Sequence, residues 1–300
     1  MTIADHKLLY PISLILSTEI KKTAQSLAKA SSTSSSTMLR RLDHSCVTVD
    51  DLIVLAKKYF GNSKLSIIID DSLISKRYSK FIRGSGDNYD TTIKQTYRSV
   101  CFIAIMLTDG HYSLPLDHKI WMREKFVESY RSKEKLAQEL LGKIRHHWPH
   151  AIVLMDGLYA TPTMFAWLNE NKMRFETRIH SNRVIEHKGT KAGIKKHPAL
   201  QLKNDWKRKT IKAIWKGIGL YITVVKRKLK KGSYIITYQA SNYKSLARTH
   251  MSNYSYRWNI EKFFRTAKQS LGLAHCQSVK QKLQENHIMN VFGAFAILQN

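Results

Sequence analysis

The chain has 300 residues, 43% hydrophobic and 24% charged, which suits a folded protein with one large or two small cores. Its 50 Lys and Arg outnumber 22 Asp and Glu and leave a formal charge of +28, so self-repulsion opposes compaction unless a polyanion is near. No run approaches the ~20 apolar residues of a membrane span, and the scattered Cys46, Cys101 and Cys276 make no C-x-x-C pair, which argues against a membrane protein, a disulfide scaffold or a zinc ribbon. Nucleic acid is the natural partner, because phosphate neutralisation supplies binding without base readout. Charge alone leaves a ribosome-like or membrane-surface binder open. His146, His147 and His250 are expected at the surface or facing phosphate, and the apolar stretch 8–16, broken by Pro11, reads as folded chain rather than a signal peptide.

Residues 1–62 read as an N-terminal helical region. Ser17 and Thr18 can cap a helix through Ile20, Ala24, Leu27 and Ala28. A serine-rich turn follows, then a short helix through Met38 and Leu42 that exposes Arg40 and Arg41. Two helices at that spacing suit either a DNA-binding helix-turn-helix or plain helix packing. A further helix covers 49–60 and stops at Gly61.

At residue 64 the periodicity changes to that of strands. Residues 64–72 form an apolar, β-branched run that ends in Asp70-Asp71-Ser72, so a buried strand delivers two adjacent carboxylates. They suit a metal site on a rigid element or the capping of the next turn. Residues 76–98 read as a polar, cationic loop. Strands follow at 100–108 and 111–116 about a turn at Asp109-Gly110, where Asp109 serves the turn. A helix covers 128–146. The strand 151–156 ends in Asp156, Thr161-Pro162 opens another helix, and 174–180 is a fifth strand. Residues 181–247 are strongly basic and then alternate as strands at 220–226 and 234–239. A segment this long between elements is a functional insertion or a small domain, here β-rich and carrying cations for DNA, with Trp206 and Trp215 as core anchors or base-stacking residues.

Residues 254–268 lack Pro and Gly and read as one helix. At about 100° per residue, Tyr254, Arg257, Glu261 and Lys268 fall within an arc of roughly 60°, beside an apolar stripe of Tyr256, Ile260, Phe263, Ala267 and Leu271. A carboxylate among cations suits a metal ion and phosphates. A last apolar helix over 288–298 is either a completed terminal helix or one cut short.

The spacing Y-x2-R-x3-E-x6-K, within Arg257-Trp258-x-Ile260-Glu261-x-Phe263-Phe264-Arg265, resembles the C-terminal signature of insertion-sequence DDE transposases, the group with Tyr-Arg-Glu-Lys. Asp156-Gly157-x-Tyr159 is similar to the family's second-acid motif and Asp70-Asp71-Ser72 to its first. The resemblance implies an α/β fold: an RNase H-like core with a mixed five-stranded sheet flanked by helices, covering 63–180 and 248–300, with 181–247 inserted. It implies Asp71, with Asp70 as the alternative, Asp156 and Glu261 as catalytic and metal-binding acids for two Mg2+ or Mn2+ ions. Tyr254, Arg257, Arg265 and Lys268 would hold DNA, joined by Arg40 and Arg41. The activity implied is hydrolysis at transposon ends, followed by transfer of the 3′-hydroxyl into target DNA. Alternatives are a related nuclease without strand transfer and an inactive DNA-binding remnant. The implied partners are terminal inverted repeats, target DNA and a second copy of the chain, in the cytoplasm of a bacterium and associated with its nucleoid.

Overall fold

A computed structural model describes residues 3–61, 63–79, 81–124, 127–203, 207–229 and 232–299. Trp206 lies outside the described residues. Helices are α1 (Asp5–Leu16), α2 (Ala24–Ala30), α3 (Ser35–His44), α4 (Val49–Phe60), α5 (Lys133–Ile144), α6 (Pro162–Glu170), α7 (Ala247–Ser255), α8 (Trp258–Gln269) and α9 (Gln281–Leu298). Strands are β1 (Ser66–Ser75), β2 (Ser85–Asp90), β3 (Gln95–Thr108), β4 (Ser113–Trp121), β5 (Ile152–Met155), β6 (Phe175–Arg178), β7 (Val184–His187), β8 (Thr190–Gly193), β9 (Arg208–Trp215), β10 (Ile218–Lys228) and β11 (Tyr234–Ser241). The chain is mixed α/β and forms two compact units. The first contains Met1–Lys64, Ile69–Ile144 and Asn259–Asn300; the second contains Leu65–Ile68 and Arg145–Trp258.

In the first unit, β3 pairs antiparallel with both β2 and β4 and also neighbours β1. β3 is buried on both faces from Val100 to Thr108, which explains its unbroken apolar sequence. Helix α5 packs on β3 and β4. On the other face of β3, the Phe102 ring meets Phe264 of α8 edge-on at 5.7 Å, and Phe263 meets Phe292 and Phe295 of α9 at 5.3 and 4.9 Å. Each such buried ring contributes about 2–3 kcal/mol. Helices α1, α3 and α4 pack against α9, so the N-terminal helices share this unit's core. The turn after β3 follows the expected chemistry: Asp109 Oδ1 accepts the N–H groups of His111 and Tyr112, both at 2.8 Å.

In the second unit, β5 and β6 are parallel. β6 pairs antiparallel with β11, β11 with β10, and β10 with β9, while β7 and β8 form a hairpin whose β7 meets β9. Helix α6 opens as expected, with Thr161 accepting the Met164 N–H at 3.0 Å and Pro162 in its first turn. Trp215 is buried, its ring 5.5 Å from Phe165, so it anchors the core.

Three expectations are corrected. The first concerns the helix capped by Ser17 and Thr18, whose place is taken by α2: Thr23 and Ser26 form a reciprocal capping box, and Ile20 lies before the helix, 91% exposed. Second, residues 76–98 contain β2, which pairs with β3 from Ser85↔Val100 to Asp90↔Gln95. Third, residues 254–268 are two helices. The Tyr256 and Arg257 N–H groups donate to Asn253 and Tyr254 carbonyls, three residues back, at 3.1 and 3.2 Å. That tightening ends α7 at Ser255, and α8 starts anew at Trp258.

Candidate active site

The first unit holds two carboxylates on neighbouring positions with opposite outlooks. β1 is buried through Ile69 and opens at Asp70 and Asp71, both half-buried. Asp71 Oδ2 pairs with Lys133 Nζ of α5 at 2.7 Å, and Cys101 Sγ of β3 lies 3.8 Å from the same oxygen. Burial pushes the Cys101 thiol up to about 12, so it is a packed group rather than a nucleophile. Lys133 also lies 5.2 Å from the Trp121 ring centroid. Cys101 and Phe102 alternate along β3, and Phe102 is the residue that packs under α8. Asp71 therefore faces α5, and by alternation Asp70 faces the side covered by α8. Asp71, the expected first acid, is committed to an ion pair away from Glu261, whereas the alternative Asp70 shares Glu261's side.

Glu261 is half-buried in the first turn of α8, where the helix N-terminus favours negative charge. A second contact fixes α8 over this face: Asn259 Nδ2 donates to Thr108 Oγ1 at 3.2 Å. Arg265 and Lys268 are exposed on the same helix. Arg40 of α3 is exposed, while Arg41 is half-buried and 3.5 Å from the His6 carbonyl.

The second unit holds Asp156 together with Tyr254 and Arg257. Asp156 follows β5 directly, and its carbonyl accepts from Thr177 Oγ1 of β6 at 3.2 Å. It lines an open cleft of about 340 Å³ with Arg178, His180, Ser181 and Tyr238. A Cβ on Gly157 would lie 3.6 Å from both the Arg178 carbonyl and His180 Nε2, so the turn after the acid passes close to β6. Tyr254 and Arg257 are each 5% exposed. The Arg257 guanidinium carbon is 5.9 Å from the Tyr254 ring and 5.4 Å from that of Trp258. Burial pushes the Tyr254 phenol up to about 12; Arg257 and Arg178 oppose the rise and Asp156 adds to it. The stripe expected to run from Tyr254 to Lys268 is thus divided, with Tyr254 and Arg257 on Asp156's unit and Glu261 and Lys268 on the other.

The family model for the transposase DDE domain matches residues 58–297. The chain belongs to that family. No curated protein matches it. The matched span in this transposase runs from the last turn of α4 through nearly all of α9 and leaves α1, α2 and α3 outside. Divalent metals serve the family generally, and hard carboxylate oxygens such as those of Asp70, Asp156 and Glu261 suit Mg2+. Asp71 has the same donor chemistry but is paired with Lys133 here. Among the described residues no group of three or more His, Cys, Asp or Glu is gathered tightly enough to hold a metal ion, and no helix is long and apolar enough to cross a membrane.

Sequence reasoning missed several residues of the transposase. Arg178 and His180 sit two and four residues beyond the buried Glu176, in what reads only as a fifth strand. His250, expected at the surface, is 1% exposed. Glu176 Oε1 accepts from His250 Nδ1 at 2.9 Å, from Asn253 Nδ2 at 3.1 Å and from the Tyr243 hydroxyl. This buried network ties α7, and so Tyr254, to β6. Partners this distant along the chain leave no local signal.

Proposed function

We propose that the chain is a DNA transposase that hydrolyses phosphodiester bonds at the ends of a mobile element and transfers the freed 3′-hydroxyl into target DNA. Within the family this assigns it to the Tyr-Arg-Glu-Lys group and to the RNase H-like fold. The observation that carries the reading is Asp70, delivered by a buried strand to the side of the sheet covered by α8, the helix that bears Glu261. Asp70, Glu261 and Asp156 are the acids required, and they would hold one or two Mg2+ or Mn2+ ions, which activate an oxygen nucleophile and neutralise the phosphate. The chain's own cations do the remaining work. Lys268 and Arg265 are free to take phosphates flanking the cut. Arg257 and Tyr254, stacked and buried, set the approach of the DNA end beside Asp156, with Arg178 supplying a second guanidinium. The exposed Lys and Arg of β9 and β10, together with Arg40, add phosphate contacts without base readout. The substrates are the element's inverted repeats and target DNA, and a dimer would pair two ends.

The test joins a pre-cut end, taken from the inverted repeats flanking the reading frame, to plasmid DNA with Mg2+ present. Asp70→Asn, Asp156→Asn and Glu261→Gln should each abolish joining while leaving salt-sensitive end binding intact. Cleavage without joining by the unaltered protein would reduce the reading to a nuclease, and activity surviving Glu261→Gln would end it.

A further inference from the structure

The first unit carries a cleft of about 420 Å³ that belongs to none of the acids discussed above. Its lining includes Arg83, Arg98 and Arg123, the aromatic Phe81 and Trp121, and Asn88. No carboxylate lines it among the described residues, and Arg83 and Arg123 can offer their charge to an anion. Two of the cations are held in place. Arg98 Nε donates to Ser85 Oγ at 3.1 Å, and an Arg123 guanidinium nitrogen donates to the Asp87 carbonyl. Gly84 keeps the rim close: at φ +80 its added Cβ would come 3.1 Å from Ile120 Cγ2.

The remaining lining is suited to a base. Phe81 is 79% exposed, so its ring face is open to a stacking base. Asn88 is buried, and its amide nitrogen is occupied by the Gly86 carbonyl, the Ser99 carbonyl and Ser99 Oγ at 3.0–3.1 Å. No described residue donates to its side-chain oxygen, which stays available as an acceptor. The Trp121 indole N–H is buried with no acceptor, the kind of orphaned group that calls for a ligand or water. Cations, an exposed ring and one free acceptor share a space of nucleotide size. A double helix cannot enter such a volume.

We infer that this cleft binds one unpaired nucleotide of DNA, with its phosphate on Arg83 and Arg123 and its base against Phe81. The Asn88 oxygen accepts from an exocyclic amine, so adenine or cytosine is preferred over thymine. The inference rests on the DNA-processing reading above, and its test needs no catalysis.

The experiment measures anisotropy of labelled oligo-dA, oligo-dC, oligo-dT and a blunt duplex with the full chain in EDTA. Oligo-dA and oligo-dC should bind about fivefold more tightly than oligo-dT. Phe81→Ala, at a site too exposed to affect folding, should weaken single-strand binding about tenfold with little change in salt dependence. Arg83→Ala with Arg123→Ala should weaken it at least about tenfold and lower the log–log salt slope by about 0.7, the share of one phosphate. Duplex binding should hardly change in either variant. Equal losses on duplex and single strands, indifference to Phe81 and to base identity, or wild-type binding by all variants would each overturn the inference. Failure of the transposase reading would appear separately, as joining that survives Glu261→Gln.

Discussion

Exchanging the two adjacent acids of β1 for asparagine, one at a time, separates a structural carboxylate from a reactive one. Asp71→Asn removes half of an ion pair 2.7 Å long whose side chains are 18% and 26% exposed. Exposed pairs are worth about 0–1 kcal/mol, and breaking a fully buried one costs about 3–5 kcal/mol. Partial shielding puts this loss between them, at about 2 kcal/mol. A chain of this size loses about 2–4 °C in Tm per kcal/mol, so the melting point should fall by about 4–8 °C. Burial by itself would lower the Lys133 pKa, but the neighbouring Cys101 and Asp71 raise it and prevail. The lysine's contribution is therefore fully present at neutral pH and fades as pH rises through the elevated lysine pKa, above 10.5. Adding Lys133→Met to Asp71→Asn removes the stranded cation and should restore most of the loss. Asp70→Asn should lower end cleavage by about 10²–10³-fold or more. Scanning calorimetry and metal-dependent nicking of a labelled end substrate read the two effects. An Asp71→Asn protein that melts normally but is inactive, beside an Asp70→Asn protein that cuts, would refute the argument from strand alternation.

Acid should destabilise the first unit through two buried imidazoles. Burial lowers both His118 and His287 to about 4, while the unfolded chain takes up protons near 6.5. Stability is therefore full above pH 6.5 and is lost as pH falls towards 4, at up to about 1.4 kcal/mol per pH unit for each. Urea midpoints should drop between pH 7 and 5, with His118→Phe flattening the slope; a midpoint that does not move would count against it. Glu176→Gln places an amide among three donors in a buried site and should cost about 3–5 kcal/mol. Hydrogen exchange should then rise in α7 ahead of the other helices. Gly293→Ala puts a Cβ 2.7 Å from Val47 Cγ2 and should cost about 1–3 kcal/mol by overpacking. Val47→Ala should partly rescue it, and additive losses in the double variant would show that the two residues do not meet.

What was legible in the sequence was whatever a single element decides by itself. The apolar strand before Asp70-Asp71, the turn at Asp109-Gly110 and the Thr161-Pro162 helix start each carry their cause within a few residues. β2 was hidden because Ser85, Gly86, Asp87 and Asn88 have poor strand propensity, and only pairing with β3 makes them a strand. The choice between Asp70 and Asp71 could not be made from β1. Alternation says that the two differ in outlook, but which side carries α8 is decided by Phe102 and Phe264, far away along the chain. Glu176 and His250 were invisible for the same reason, since a buried charge is readable only once its partners are known.

The late helix teaches the sharper lesson. Its residues support a continuous helix at every position, and nothing between Tyr254 and Lys268 is a breaker. The break comes from the hydrogen bonds at Tyr256 and Arg257, which close over three residues instead of four. A stripe drawn at constant pitch is therefore the wrong picture of Y-x2-R-x3-E-x6-K in this chain. The first two residues are buried beside one another on the unit that holds Asp156, and the last two are displayed by a helix on the unit that holds Asp70. Their spacing is then a constraint on the turn at Tyr256 and Arg257. An alanine inserted after Tyr256 would shift Tyr254 and Arg257 by one position against their packing, or else rotate Glu261 by about 100°. Activity should be lost in either case. Insertion after Gln269, beyond the last of the four, should be tolerated in joining assays even if it lowers Tm; equal inactivation by both insertions would mean that the turn has no special part.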